Sequence, residues 1–177
     1  VYKRQVLMVT HDPEVARMGD RRIELHHGRL TEPDIFVHQD QDLFDQLLKA
    51  VWKARGPDSE GQPVRSENLS EFAHNRATFN LLADRGWLRI NEGAVELTPR
   101  GEERARYAVR RHRLAERLFY ETFGIDEELL HENALKIDPV LSLEVTQKIC
   151  TFLHHPSTCP HGDPIPRGEC CIQAGVM

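Results

Sequence analysis

No stretch of this 177-residue sequence approaches the ~20 consecutive apolar residues that a membrane helix requires. No basic segment followed by an apolar one opens the chain, as a secretory leader would. A membrane-spanning protein and a secreted precursor are therefore not expected, and a cytoplasmic location is. Cysteine is scarce: four residues, too few for a disulfide scaffold. All four fall between positions 150 and 171, which reads as one local site in a reducing compartment. A large excess of one charge is missing too, since Lys and Arg number 23 against 28 Asp and Glu, a net charge of −5. That balance argues against a uniformly basic nucleic-acid coat but leaves room for local patches. The segment Arg100–Arg117 is one such patch, with seven arginines against three glutamates. With 40% apolar and 29% charged residues and a mean hydropathy of −0.52, the chain reads as globular. Its length suits one ordinary domain or two small ones.

The sequence opens on Val1 rather than Met and reads as a fragment, with Val1-Tyr-Lys-Arg-Gln5 set aside as foreign. Val6–Val9 has the pattern of a short buried strand. Asp12 can cap a short helix beginning at Pro13. Arg21–Leu25 and Arg29–Leu30 then flank His27-Gly28 as a hairpin. The run Val9-Thr-His-Asp12, with Asp20-Arg-Arg-Ile-Glu-Leu-His-His-Gly-Arg-Leu30, resembles the tail of an ABC-transporter ATPase over residues 6–31. The resemblance implies a fragment of an α/β P-loop ATPase in which His11 is the switch-loop histidine that contacts the γ-phosphate. It also implies a transporter membrane subunit as partner. No G-x-x-x-x-G-K-[ST] loop, LSGGQ-like signature or Walker-B aspartate is present, so this chain alone is not expected to be an enzyme.

Residues 33–42 are acidic and aperiodic, a linker. From Leu43 the apolar positions Leu43, Phe44, Leu47, Leu48, Val51 and Trp52 recur at helical spacing up to Arg55-Gly56-Pro57. Two short helices are expected over 64–72 and 76–85, then a hairpin of Trp87–Ile90 and Ala94–Leu97 around Asn91-Glu-Gly93. Three helices followed by a hairpin is the order of a winged helix-turn-helix, placed at 43–98. Thr98-Pro99 opens the strongest helix, which runs to Phe123 and is closed by Gly124. Asp126 and Ser142 can cap two more helices, reaching Ile137 and His154. Residues 99–155 are thus a three-helix bundle, and 156–177 a Cys-bearing tail. The fold expected overall is mainly α with a small β content.

His112 and Glu116 lie four apart, on one helix face, where they can chelate one ion or form a plain ion pair. His131, on the next helix, could complete a three-ligand set. Leu97-Thr-Pro-Arg-Gly-Glu102, Arg111-His-Arg-Leu-Ala-Glu-Arg-Leu118, Phe123–Asp126, His131-Glu132 and Pro164-Ile-Pro166 together resemble the diphtheria-toxin-repressor family. The resemblance covers about 43–168. It implies a metal-dependent, dimeric, DNA-binding transcriptional regulator using Fe2+ or Mn2+. By position it makes His112, Glu116 and His131 an ancillary metal site. The family's regulatory site falls on Leu135, Asp138 and Pro139, of which only Asp138 can ligate, with Asp45 or Gln46 of the first helix as further donors. His74, Asn75, Arg76, Thr78 and Asn80 are the candidate DNA-reading residues. The alternative is the ATP-binding subunit of an ABC transporter whose appended winged-helix and helical domain has given up DNA and serves as a dimerisation or adaptor module.

Cys150, Cys159, Cys170 and Cys171 have the C-x8-C-x10-C-C spacing, with no C-x2-C pair of the common zinc modules. Three readings stay open: incidental buried thiols, a redox disulfide, or a second site for an iron–sulfur cluster, Zn2+ or copper(I). His154, His155 and His161 are substitute ligands for that site. The function expected is metal sensing that controls DNA binding or transport, as a homodimer, with the domain fused to or derived from a transporter ATPase.

Overall fold

The computed structural model describes residues 24–26, 29–31, 37–56, 61–69 and 76–176. Two units divide the chain, 1–39 and 40–177. His11, His74 and Asn75, and most of the ATPase-like segment, lie outside the described residues. Within the first unit, β1 (Glu24–His26) and β2 (Arg29–Thr31) pair antiparallel, with Leu25 opposite Leu30. This is the hairpin expected around His27-Gly28.

Helix α1 (Val37–Arg55) begins inside the stretch 33–42 expected as linker, and its part within the second unit carries the apolar stripe that starts the core. Phe44, Leu47, Leu48, Val51 and Trp52 are all buried, because residues three and four apart share one face of a helix. They pack on Phe79 and Leu82 of α2 (Arg76–Asp84), on Trp87 just before the sheet, and on Val95 and Leu97 within it. The sheet has the order β3-β5-β4, from β3 (Val64–Arg65), β4 (Leu88–Asn91) and β5 (Ala94–Leu97). The expected helix over 64–72 is thus wrong at its start. Val64 and Arg65 are strand, paired with Val95 and Ala94, and Ser66–Asn68 is a single 3-10 turn. A β-branched Val that can fill the core beside Val95 gains more as a sheet edge than in a short helix.

The long helix α3 (Pro99–Phe123) follows its sequence signals closely. The Thr98 hydroxyl accepts from the Gly101 N–H at 3.0 Å, Pro99 occupies the first turn, and Gly124 closes the helix at φ 62°. Gly101 has a second duty: a Cβ there would lie 1.8 Å from the Trp87 carbonyl oxygen, so only glycine lets the helix lie against β4. Alpha-helices α4 (Glu127–Ile137) and α5 (Leu143–Phe152) complete the bundle, joined by a 3-10 turn at Asp138–Val140. Ser142 caps α5, accepting from the Val145 N–H at 3.2 Å, whereas Asp126 makes no side-chain cap bond.

The tail is not a loose appendage. Cys159, Ile165 and Cys171 are buried with Leu114, Cys150 and Leu153 in a second apolar cluster. Within the tail, Cys170 and Cys171 stand on a short helix, α6 (Glu169–Gln173). The middle of α3, from Ala108 to Glu116, is buried residue after residue, because this helix serves the first core on one side and the tail cluster on another. Among the described residues no helix is long and apolar enough to cross a membrane.

Candidate metal centre

One turn of α3 separates His112 and Glu116, and both are 3% exposed. The His112 Nε2 lies 3.1 Å from Glu116 Oε1 and 3.1 Å from His131 Nδ1 of α4. The third side of the triangle, His131 Nδ1 to Glu116 Oε1, is 3.4 Å. Donors about 2.0–2.2 Å from one ion, at octahedral or tetrahedral angles, stand roughly 2.8–3.6 Å apart. The donor set therefore fits a divalent cation of the transition series in size and chemistry: two imidazoles and a carboxylate. His131 keeps 58% of its side chain exposed, so the triangle has an open side.

Behind His112, Nδ1 donates to Asp138 Oδ2 at 2.8 Å. A carboxylate is an acceptor only, so this bond places the proton on Nδ1 and leaves the Nε2 lone pair facing Glu116 and His131 in the neutral ring. Such an outer carboxylate fixes ring orientation and makes the imidazole a stronger ligand. The charges respond accordingly. Burial pushes the His112 pKa down, but the bonds to Asp138 and Glu116 outweigh it and hold the pKa above the usual histidine value. Burial pushes Glu116 up; the His112 hydrogen bond and charge, with His131 behind them, bring it down to about 2. Asp138 is likewise held low, against its burial, by His112 and Lys49.

Asp138 does not point among the three donors as a fourth ligand. Its Oδ2 also accepts from Lys49 Nζ of α1 at 2.8 Å, and Arg111 approaches Oδ1 at 3.6 Å. Asp45 is engaged as well, by Arg104 at 2.8 Å and Arg111 at 3.0 Å. The ammonium of Lys49 thus meets the carboxylate that the resemblance assigned to a regulatory metal. Gln46, Lys49 and Lys53 line one side of a cavity of about 550 Å³, with His112, His131 and Leu135 on the other. One donor was not placed here by the sequence: His161 of the tail, whose Nδ1 is 3.6 Å from Glu116 Oε2, with Cys159 grouped beside it. Its only sequence signal is the Cys159-Pro-His161 spacing.

The metal binding and dimerisation domain of iron dependent repressors matches residues 98–167, the segment that carries this triangle. The chain is 38% identical over 131 residues to the iron-dependent repressor IdeR of Mycobacterium tuberculosis, covering 71% of this chain and 56% of that protein. It is 36% identical over 76 residues to the diphtheria toxin repressor of Corynebacterium diphtheriae, covering 43% and 34%. It spans about half the length of the curated relatives it matches over 131 residues. A manganese-dependent transcriptional repressor in complex with manganese superposes with a TM-score of 0.61 at 29% identity, over 71% of this chain and 59% of that one. The IdeR of T. acidophilum gives 0.56 at 25% identity, over 71% and 62%.

The structure departs from the sequence reading in three places. Thr78 is 7% exposed and packs inward with Phe79 and Leu82, which takes it off any DNA-reading face; Arg76 and Asn80 remain on the exposed side of α2. The arginines of α3 do not form one continuous phosphate-binding stripe: Arg100 and Arg106 at its start are exposed, but those in its middle are not. Arg110, Arg111 and Arg113 are buried, and bond to Pro166 O, Asp45 and Pro164 O respectively. The four cysteines do not share one site either. Cys150, Cys170 and Cys171 come together with His155, whereas Cys159 faces His161 at 3.9 Å. Burial pushes the Cys171 thiol up, but a backbone bond at Gly168, His155 and Arg110 bring it down to about 6. Cys150, buried beside it, is pushed up to about 12.

Proposed function

We propose that this chain is the DNA-reading and metal-binding part of a divalent-metal-responsive transcriptional repressor that acts as a dimer. One observation carries the reading: donors on α3 and α4 converge to 3.1–3.4 Å, with the Asp138 carboxylate set behind His112. His112, Glu116 and His131 would hold the ion, Fe2+ or Mn2+ by the family's chemistry. When bound, the cation supplies a cross-link between α3 and α4. The apolar residues Leu129, Val140, Leu143, Val145 and Phe152 are 44–65% exposed on α4, α5 and the turn between them, an area suited to a second copy of the chain. DNA contact falls to α2, through Arg76 and Asn80, and to the β4–β5 hairpin as the wing.

Calorimetric titration of Mn2+ into the chelator-treated chain tests this reading. Saturable uptake that Glu116→Gln weakens tenfold or more is the expected result; uptake unchanged in that variant overturns it. A gel-shift series at low salt separates DNA binding from an adaptor role. Retardation that Mn2+ strengthens supports the repressor, and none with or without metal leaves a dimerisation or adaptor module. The burial of three α3 arginines is the observation that favours the adaptor. The ATPase-tail reading of residues 6–31 keeps one support, the β1–β2 hairpin where the resemblance places it. In-frame upstream coding sequence with a phosphate-binding loop is its test.

A further inference from the structure

The tail cluster is built like a second metal site of different chemistry. Cys150 Sγ stands 3.7 Å from Cys171 Sγ and 3.5 Å from His155 Nδ1. Cys170 joins them, and all four donor atoms lie within 4.8 Å of one another. A tetrahedral ion with metal–sulfur bonds of about 2.3 Å and a metal–nitrogen bond of about 2.0–2.1 Å places its donors roughly 3.8 Å (S to S) and 3.5 Å (S to N) apart. The two measured separations match those values. The ligands of an iron–sulfur cluster stand further apart, because several iron and sulfide atoms lie between them.

Three features of the surroundings point the same way. His154 and His155 both have left-handed backbones, at φ 58° and 56°, which L-residues with a Cβ rarely adopt. That turn closes α5 and brings the His155 ring back to Cys150. Adjacent Cys170 and Cys171 can face one point because they sit in a helical turn, about 100° apart around the axis, rather than on opposite sides of an extended chain. Arg110 then reaches in from α3, with Nη2 3.1 Å from Cys170 Sγ and 3.5 Å from Cys171 Sγ. A dication held by three thiolates and a neutral imidazole carries a net charge of −1, which one buried guanidinium balances. Gly168 leaves the room for it: a Cβ there would lie 2.9 Å from Arg110 Nε.

We propose that Cys150, His155, Cys170 and Cys171 bind one soft divalent cation of the zinc type, which fastens the tail to α5 and α3. Binding replaces the S–H protons of whichever thiols are still protonated by metal–sulfur bonds. The protons leave to solvent, and no electron is transferred. Half-buried Cys170 is the side from which the ion enters. This site is independent of the His112 centre and stands if that reading fails.

Co2+ is the probe, titrated into the reduced, chelator-treated full chain under anaerobic conditions. One equivalent should produce thiolate-to-cobalt charge-transfer absorption, and one equivalent of Zn2+ should remove it. Cys170→Ser and, separately, His155→Asn should each cut that absorption by more than half, with helicity checked by circular dichroism. Cys159→Ser and the His112→Ala, Glu116→Gln pair should leave it intact. The proposal is overturned if no thiolate absorption appears, if Cys170→Ser keeps all of it, or if Cys159→Ser loses as much as Cys170→Ser. Protein isolated with iron and acid-labile sulfide, or with Cys150 and Cys171 oxidised to a disulfide that Zn2+ cannot prevent, overturns it equally.

Discussion

The His112 triangle and the cysteine cluster both lean on α3, yet they are built in opposite ways. The first takes imidazoles and a carboxylate from two helices, has Asp138 and Lys49 behind it, and stays open at His131. The second takes mostly sulfur, from α5 and the tail, and is closed over by Arg110. Open sites of borderline donors suit an ion that comes and goes. Closed sites rich in thiolate suit an ion that holds structure. One helix can carry both because side chains at 110 and 112 leave it about 200° apart.

Removing Asp138 should break the comparison most severely. It is 2% exposed and answers Lys49, His112 and Arg111, so Asp138→Ala strands buried cations. A loss of about 3–5 kcal/mol in urea denaturation is expected, with the cobalt–thiolate absorption of the tail unchanged.

Acid comes next. Glu116 has its pKa lowered to about 2, so its contribution is present above about pH 4.5 and is lost as pH falls toward 2. His112 has its pKa raised, so its protonated-state contribution is present below about pH 6.5 and is lost as pH rises through the folded value. The metal-free chain should therefore be most stable between about pH 4.5 and 6.5 with respect to this pair. Loss of the charged bond on the acid side should cost about 1.5–3 kcal/mol. Thermal melts across pH check the window, and Glu116→Gln should flatten its acid limb.

Gly168→Ala tests the other site at a gentler level. The new methyl meets the Arg110 guanidinium, the mobile end of a long side chain, so about 1 kcal/mol is expected, at the low end for overpacking. Displacing the guanidinium should weaken Zn2+ retention against a chelator and leave Mn2+ uptake unaltered. The smallest effect is a control on the same helix: Glu121→Gln breaks the half-exposed Arg117–Glu121 pair, worth about 0.3–0.5 kcal/mol, and should touch neither site.

Where a signal was local, the sequence could be read to the residue. Thr98, Pro99 and Gly124 bound α3 because a cap bond and a left-handed φ depend on neighbours in the chain. His112 and Glu116 are one turn apart by helical geometry alone, so their pairing was legible, and His131 needed only a second helix packed beside the first. Other features have no local cause. Val64 is strand because Val95 lies beside it, and Thr78 is buried because α2 turned that face toward the core.

Residue types and their helical spacing, then, determine that α3 exists, that it presents an imidazole and a carboxylate together, and that thiols gather near the end of the sequence. Which thiols meet, and what faces them, is decided by where the tail turns back. His155 reaches Cys150 through two left-handed residues, Cys159 goes to His161 instead, and Lys49 crosses 89 positions of sequence to Asp138. Partners that far apart are chosen by packing: a buried charge or thiol must find its complement among whatever groups the folded core brings within about 3–4 Å, and no spacing along the chain encodes that distance.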